Sequence, residues 1–144
     1  MTDKKTGISE LSRSLIEIAW YFGPKGLNGE CCEDISMPEF MALDTVSKTR
    51  FCPVQEIGIA LSFTKSGATR IVNRLESKGY VRKMTSSEDA RVCCVIITGE
   101  GEKVIKNADA RYKEKLEELF SKMPESQRSG AIELLNSMAR AIRR

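Results

Sequence analysis

The sequence predicts a mainly α-helical protein that carries one small β-hairpin between its helices. The first observation is a pair of short helices, predicted over Val54–Leu61 and after Thr64, that are separated by a turn of three residues. The second observation is a pair of β-prone segments, Tyr80–Thr85 and Arg91–Ile97, that flank a polar stretch. A hairpin directly after two such helices is the arrangement of a winged helix-turn-helix lobe. The helices before and after this lobe predict a helical dimerisation arm.

The N-terminal part of the chain predicts two helices. Ile8–Phe22 is amphipathic, and one face carries apolar side chains at helical spacing, namely Ile8, Leu11, Leu15, Ile16 and Ala19. Ser36 is expected to cap the second helix, because Glu39 follows it at the spacing of a capping box. We expect this second helix to end near Ser47.

The third and fourth helices form the predicted helix-turn-helix. Pro53 opens the third helix, whose inward residues are expected to be Val54, Ile57, Ala60 and Leu61. Thr64 is the expected N-cap of the fourth helix, which ends at Lys78 because Gly79 suits the left-handed position after a helix. One narrow face of this helix is apolar and consists of Ala68, Ile71, Val72 and Leu75. The opposite face is polar and suits the major groove of DNA, with Ser66, Arg70, Asn73 and Ser77 flanked by Thr69 and Arg74.

Two further helices complete the chain. The first follows the hairpin and carries Val104, Ile105, Ala108, Tyr112, Leu116, Leu119 and Phe120, and the last carries Ala131, Leu134, Leu135, Met138 and Ile142. These apolar stripes are too long for the small lobe to cover, so we expect a second copy of the chain to cover them in a twofold dimer. The predicted domains are an N-terminal helix and loop (1–35), a DNA-binding lobe (36–98) and C-terminal dimerisation helices (99–144).

Charge and composition narrow the class of protein. Residues 48–91 hold nine basic side chains against four acidic ones, a net of +5, whereas the whole chain carries +3. Basic charge concentrated in one module favours binding to nucleic acid. The chain has no histidine, which removes the commonest general base, and no glycine-rich phosphate loop, so we expect no enzymatic activity, cofactor or metal. No apolar run is long enough to span a bilayer and no secretory signal is evident, so a cytoplasmic location is expected.

The segment Val54–Val104 resembles the winged-helix core of the MarR family of transcription regulators. The resemblance rests on three motifs, which are TKSGATRIVNRLESKGYV in the fourth helix, SSEDAR in the hairpin tip and ITGEGEKV at the start of the next helix. Each motif is weak by itself, but their succession at these spacings is specific. The resemblance implies a homodimeric regulator, expected to be a repressor. Its first and last helices would form the dimer. Its fourth helix would lie in the major groove of a palindromic operator and its hairpin, the wing, at the minor groove.

The resemblance also implies which side chains touch DNA. In the wing, Arg91 is expected to reach the minor groove and Asp89 to hold it in place. The family commonly has a basic residue between these two, where this chain has Ala90, so one contact is expected to be missing. The predicted DNA-binding set adds further polar side chains of the fourth helix and of the wing. Its members are Thr64, Lys65, Ser66, Thr69, Arg70, Asn73, Arg74, Lys83, Ser87, Asp89 and Arg91.

A regulator of this kind needs a signal, and two kinds remain open. A small ligand is the first, and Trp20, Tyr21 and Phe22 at the end of the first helix either line a cleft for it or belong to the core. Thiol chemistry is the second, and the candidate sensors are Cys31, Cys32, Cys52, Cys93 and Cys94. Their odd number in a chain without an export signal favours reduced thiols.

Cys52 is the best candidate for a reactive thiol by sequence. It precedes a helix N-terminus and has cations close to it in the chain, and both features lower a thiol pKa. Cys31 and Cys32 lie among acidic residues, which oppose thiolate formation. Cys93 and Cys94 are neighbours on a strand and should point to opposite faces, so one is expected to be buried. Buried cysteines without a role in sensing remain the alternative.

An alternative function is open at this point. A winged helix also serves as a protein-protein interaction module that does not bind DNA. Such a module would show no salt-dependent affinity for DNA, and Arg70 and Arg91 would be dispensable for its function.

Overall fold

The computed structural model describes residues 4–23 and 34–143 of the chain. Within these residues it contains six helices and three short strands. In chain order they are α1 (Lys4–Phe22), α2 (Met37–Ser47), β1 (Cys52–Pro53), α3 (Val54–Leu61), α4 (Lys65–Ser77), β2 (Val81–Thr85), β3 (Cys93–Ile97), α5 (Gly99–Ser121) and α6 (Glu125–Ile142). The predicted fold class, mainly helical with a small hairpin wing, is confirmed.

Helix α2 begins with the capping box that the sequence predicts. The Glu39 amide donates to the Ser36 hydroxyl at 3.4 Å, and the Ser36 amide donates to the Glu39 carboxylate at 3.3 Å. Two N–H groups that a helix end would leave without acceptors are thereby satisfied. The start of α2 is therefore fixed by residues only three positions apart.

The turn between α3 and α4 is set by local backbone chemistry. Ser62 adopts a left-handed conformation with φ of 55°, and the Phe63 amide donates to the Gly58 carbonyl at 2.9 Å. Thr64 then caps α4, because its hydroxyl oxygen accepts from the Gly67 amide at 3.1 Å. These contacts confirm the predicted helix-turn-helix and its N-cap.

The three strands form one antiparallel sheet in the order β1-β3-β2. The hairpin pairs Val81 with Ile97 and Thr85 with Cys93 at its two ends. The predicted strand segments were slightly longer than the strands observed. Strand β1 was not predicted, because its two residues pair with β3 only after the chain has folded back.

The core lies between α2, α3, α4 and the sheet. Its buried side chains include the whole predicted apolar face of α4, and its members are Ile35, Ala42, Leu43, Val46, Cys52, Ile57, Ala68, Ile71, Val72, Leu75, Val81, Val95 and Val104. The prediction for α3 was wrong at Ala60, which is exposed. Gly58 is buried instead, at a point where a Cβ would lie 3.3 Å from the Phe63 carbonyl oxygen. The inward face of α3 is therefore rotated toward its glycine.

The start of α5 packs tightly against the end of α4. Thr98 donates its hydroxyl to the Gly79 carbonyl at 2.6 Å and accepts from the Gly101 amide at 3.1 Å. Gly79 has φ of 81°, as predicted for the residue that follows α4. A Cβ on Gly101 would overlap the Tyr80 carbonyl oxygen. Glycine is therefore required at position 101 by close backbone approach.

The chain divides into two compact units, Met1–Asp109 and Ala110–Arg144. In the first unit, the apolar side chains of α1 are exposed, with Ile8 at 67% and Ile16 at 66%. In the second unit, the apolar side chains of α6 are exposed as well, with Leu134 at 60%. The α5 stripe differs from the prediction, because Val104 is buried and the stripe residues after position 109 are half-buried. The three predicted domains, 1–35, 36–98 and 99–144, stay a prediction.

None of the helices within residues 4–23 and 34–143 combines the length and the hydrophobicity that spanning a bilayer requires. The predicted thiols Cys31 and Cys32 lie outside the described residues.

Candidate nucleic-acid interface

The polar face of α4 is exposed along its length. Its N-terminal half lines an open concavity of about 560 Å³, and the lining residues are Lys65, Ser66, Thr69 and Arg70. All four belong to the predicted DNA-binding set, and each is exposed. The structure therefore brings the N-terminal half of that set together on one surface.

Hydroxyl groups in the first turns of α4 are partly engaged by the helix itself. Thr64 uses its oxygen as the N-cap and lies 3.2 Å from the Ser66 hydroxyl. The Thr69 hydroxyl donates to the Lys65 carbonyl at 2.8 Å. Because Thr64 already accepts from the Gly67 amide, that amide is not open to a phosphate. The Ser66 hydroxyl is thus engaged by Thr64, whereas the Lys65 ammonium has no ion pair among the described residues.

The guanidinium groups of the predicted set are exposed. Arg70 and Arg74 lie on α4 and Arg91 lies in the wing, and no carboxylate among residues 4–23 and 34–143 forms an ion pair with them. An arginine without an acidic partner keeps its planar donors available for a phosphate or a guanine edge. These three side chains are therefore the strongest candidates for contacts with DNA.

Asn73 and Lys83 are brought together in a way that the sequence did not reveal. The Lys83 ammonium donates to Asn73 Oδ1 at 2.7 Å and lies 3.4 Å from the Glu76 carboxylate. The Lys83 amide also donates to Glu76 Oε2 at 2.9 Å. Glu76 was not predicted as a site residue. Glu76 could have been noticed in the sequence, because it is an acidic residue three positions after Asn73 on a helix whose other charged residues are cations.

The wing tip is shaped by hydrogen bonds from side chains to the backbone. The Asp89 carboxylate accepts from the Arg91 amide at 3.0 Å, and the Ser86 hydroxyl accepts from the Glu88 and Asp89 amides at 3.2 and 3.5 Å. Asp89 therefore holds the backbone of Arg91 and leaves its guanidinium free, which refines the predicted pairing. Ser87 is exposed at the same tip.

The C-terminal end of α4 is anchored to α2 by a buried ion pair. The Lys78 ammonium lies 2.7 Å from the Glu39 carboxylate, whose side chain is 5% exposed, and it also donates to the Asp34 carbonyl. Tyr80 donates its hydroxyl to the Asp34 carboxylate at 2.8 Å. These contacts fix the end of the helix that carries the candidate interface. Sequence reasoning could not find them, because the partners are about 40 positions apart.

Cys52 contradicts the prediction of a reactive thiol. Its side chain is buried in the core, and this burial raises the pKa of the Cys52 thiol. A hydrogen bond with Thr49 lowers that pKa by less, and Glu56 and Cys94 raise it further. Lys48 and Arg50, which suggested a low pKa by sequence, are not among the causes.

The other described cysteines follow the prediction for a strand. Cys93 is exposed and Cys94 is buried, as alternation along β3 requires. Within the described part of the chain, no three His, Cys, Asp or Glu side chains are grouped so that they could hold a metal ion. Cys93 is thus the described thiol that solvent reaches.

Of the aromatic residues at the end of α1, Trp20 is 68% exposed. Tyr21 and Phe22 pack edge to face, with ring centroids 4.9 Å apart, and both are half-buried. Trp20 is therefore not a core residue within the described structure.

Comparison with known proteins agrees with this geometry. Residues 35–93 match the MarR family. Over 79 residues the chain is 29% identical to the HTH-type transcriptional regulator BilQ from Clostridioides difficile (strain CD3). The aligned segment covers 53% of each protein. The chain therefore spans about half the length of this curated relative.

Two solved structures share the fold over nearly the whole chain. Streptococcus pneumoniae FabT, solved in complex with DNA, has a TM-score of 0.76 at 22% identity and covers 96% of this chain and 97% of its own. Bordetella bronchiseptica BpsR, whose DNA binding is regulated by 6-hydroxynicotinic acid, has a TM-score of 0.67 at 15% identity and covers 94% and 99%. At these identities the likeness concerns the fold. The resemblance found by sequence is confirmed, since residues 35–93 of the chain match the MarR family.

Proposed function

We propose that this chain is a non-enzymatic transcription regulator that binds double-stranded DNA sequence-specifically as a homodimer. The observation that carries the proposal is the exposed face of α4, where Arg70 and Arg74 form no ion pair with any of the described residues, beside a wing that presents Arg91. Cationic and polar donors on one helix face are the chemistry that phosphates and base edges require. The solved complex of FabT with DNA supports the same use of this fold.

In the proposed complex, α4 lies in the major groove and the wing reaches the minor groove. Arg70 is central on the exposed face and is assigned to a base edge, whereas Lys65 and Ser66 at the first turn are assigned to phosphates. Arg91 is the proposed minor-groove contact, with its backbone held by Asp89. Phosphate contacts set the position on DNA and base contacts set the sequence preference.

The homodimer is supported by the uncovered apolar faces of α1 and α6, each described within its own unit. Leu11 and Leu15 on α1, and Leu134 and Leu135 on α6, are exposed to a degree that a monomer in water rarely shows in contiguous stripes. A twofold dimer would bury these stripes and would set two α4 helices at a spacing of roughly 34 Å, one turn of DNA. A palindromic operator follows from this symmetry.

The proposed regulator is a repressor in the cytoplasm, released by a small ligand or by thiol chemistry. Ligand control is supported by BpsR, a protein of the same fold whose DNA binding 6-hydroxynicotinic acid regulates. Thiol control would begin at Cys93, which is exposed, rather than at Cys52, which is buried. Loss of DNA binding after mild oxidation would favour the thiol, and unchanged binding would favour a ligand.

The experiment is a fluorescence anisotropy titration of the reduced protein with duplex DNA from upstream of its own gene and with a randomised duplex pool, across a salt series. We expect affinity that falls steeply with salt, because bound phosphates release counterions. Arg70→Ala should cost about 1–3 kcal/mol of specific binding. Lys103→Ala is the matched control, since Lys103 is an exposed cation on α5 paired with Glu100.

Two outcomes would count against the proposal. Absence of salt-sensitive binding to any duplex in the pool would favour the alternative, a winged-helix module that contacts protein. Equal affinity of the Arg70→Ala variant and the parent would remove Arg70 from the interface.

A further inference from the structure

A three-residue cluster joins the recognition helix α4 to strand β2 of the wing. Glu76 accepts from the Lys83 amide at 2.9 Å and lies 3.4 Å from the Lys83 ammonium. That ammonium donates to Asn73 Oδ1 at 2.7 Å. Lys83 is thus held at its backbone and at its ammonium by Glu76, and it holds the Asn73 carboxamide in turn.

This arrangement fixes which end of the Asn73 carboxamide faces outward. A lysine ammonium has only donors, so the atom it contacts on Asn73 must be the oxygen. The Nδ2 group is then the free end, and no acceptor among the described residues takes its hydrogens. Asn73 lies on the exposed face of α4 together with Arg70. The side chain therefore offers hydrogen-bond donors to whatever lies against this face.

A carboxamide held in this way reads DNA differently from a free asparagine. A free asparagine pairs with adenine by accepting from the adenine N6 group and donating to N7. The Lys83 ammonium takes one of the two lone pairs of Oδ1 and places a positive charge beside that oxygen, which disfavours a second donor such as adenine N6. Nδ2 is then the group of Asn73 that meets the base. Guanine presents two neighbouring acceptors, N7 and O6, to the major groove. A donating group therefore finds two acceptors on guanine, whereas on adenine it finds only N7 and meets the N6 donor beside it.

We propose that Asn73 selects guanine over adenine at one operator position because Lys83, pinned by Glu76, occupies its carboxamide oxygen. Asn73 is the specificity-determining residue, and Lys83 and Glu76 are positioning residues that act through it. The inference rests on the proposed function, since it requires that α4 enters the major groove. It goes beyond that function by stating which base the helix reads and why.

Three variants separate the roles of the residues. Asn73→Ala removes the carboxamide that is proposed to contact the base. Lys83→Met removes the ammonium but keeps the apolar stem, which frees Oδ1 to accept from adenine. Arg82→Met is the matched control, because Arg82 is an exposed cation on the same strand with no ion pair among the described residues.

The experiment measures competitive binding of each variant to an operator selected from a random duplex pool, with all four base pairs placed at each position. The position read by Asn73 is the one at which Asn73→Ala loses its preference. There we expect the parent to prefer guanine over adenine by roughly 5- to 150-fold, the range for one well-made pair of hydrogen bonds. Lys83→Met should lose or reverse this ratio, and Arg82→Met should keep it even if its overall affinity falls.

A second measurement uses the unmodified protein and does not depend on the folding of any variant. Replacing the guanine at that position by 7-deazaguanine removes the N7 acceptor and should weaken binding of the parent but not of Asn73→Ala. Adenine preference in the parent, an unchanged ratio in folded Lys83→Met, or no effect of 7-deazaguanine would each overturn the inference while leaving the proposed function intact. Failure of the parent to bind any duplex would overturn the proposed function itself.

Discussion

Two ion pairs on helix α2 allow the energetic effect of burial to be measured in one experiment. Glu39 lies 2.7 Å from Lys78, with side chains 5% and 29% exposed. Asp44 lies 2.6 Å from Lys48, with side chains 31% and 69% exposed. The distances are nearly equal and the carboxylates belong to the same helix, so the pairs differ in burial and in the capping bond that Glu39 also accepts from the Ser36 amide. We predict that neutralising Glu39 destabilises the protein far more than neutralising Asp44.

The expected magnitudes follow from the contacts that each carboxylate makes. Glu39→Gln removes the charge from two hydrogen bonds, one from Lys78 and one from the Ser36 amide at 3.3 Å. Hydrogen bonds to charged groups contribute about 1.5–3 kcal/mol each, and glutamine keeps a neutral acceptor, so we expect a net loss of about 1–3 kcal/mol. Asp44→Asn should cost about 0.5 kcal/mol or less, because exposed i,i+4 pairs are screened by water and salt.

The assay is urea unfolding followed by far-ultraviolet circular dichroism, at one fixed protein concentration because the stability of the proposed dimer would depend on concentration. Repeating it at high salt should diminish the small effect of Asp44→Asn and leave that of Glu39→Gln nearly unchanged. Equal losses for the two variants, or a loss below about 0.5 kcal/mol for Glu39→Gln, would refute the reasoning from burial. Because Lys78 caps the end of α4, Glu39→Gln should also weaken DNA binding.

Four further predictions concern backbone packing, helix capping and the cysteine thiols. Gly101→Ala should lower the free energy of unfolding by about 1–3 kcal/mol in urea, because its Cβ would overlap the Tyr80 carbonyl oxygen; an unchanged midpoint would contradict the close approach. Thr64→Ala should cost about 1 kcal/mol in the same assay, since the N-cap acceptor of α4 is lost. Cys93 should be alkylated in the folded protein well before Cys52, as peptide mass spectrometry after timed labelling would reveal. Since burial raises the Cys52 pKa, the stability that the neutral thiol contributes is fully present below the ordinary value of 9.0 and is lost as pH rises through the raised value. The stability difference between the parent and Cys52→Ala should therefore shrink above pH 9, and a difference that is constant with pH would contradict the raised pKa.

The helix-turn-helix and the wing could be predicted because their signals are local. Thr64 and Gly79 mark the two ends of α4, and the apolar side chains between them recur at helical spacing. The capping box at Ser36 needs only a partner three residues later. Such signals act through the geometry of a single element, so they can be read without knowing what packs against it.

Other features were missed or mistaken because they depend on packing between elements. Ala60 was expected inside and is exposed, since the glycine beside the turn takes the inward position on α3. Strand β1 was not predicted, because a two-residue strand with a proline has no pattern of its own. Cys52 was expected to be reactive, yet burial in the core raises its pKa, and the basic residues near it in the chain are not among the causes of the shift.

The sequence by itself determined where α2, α3 and α4 begin and end, and which face of α4 is apolar and which is polar. Only the tertiary structure decided how the polar side chains of α4 are oriented and held. Asn73 is oriented by Lys83 from another element, and Lys78 is anchored by Glu39 from 39 positions away. The physical reason is that a hydrogen bond between elements exists only once packing has brought donor and acceptor within about 3 Å, and no local pattern specifies that distance.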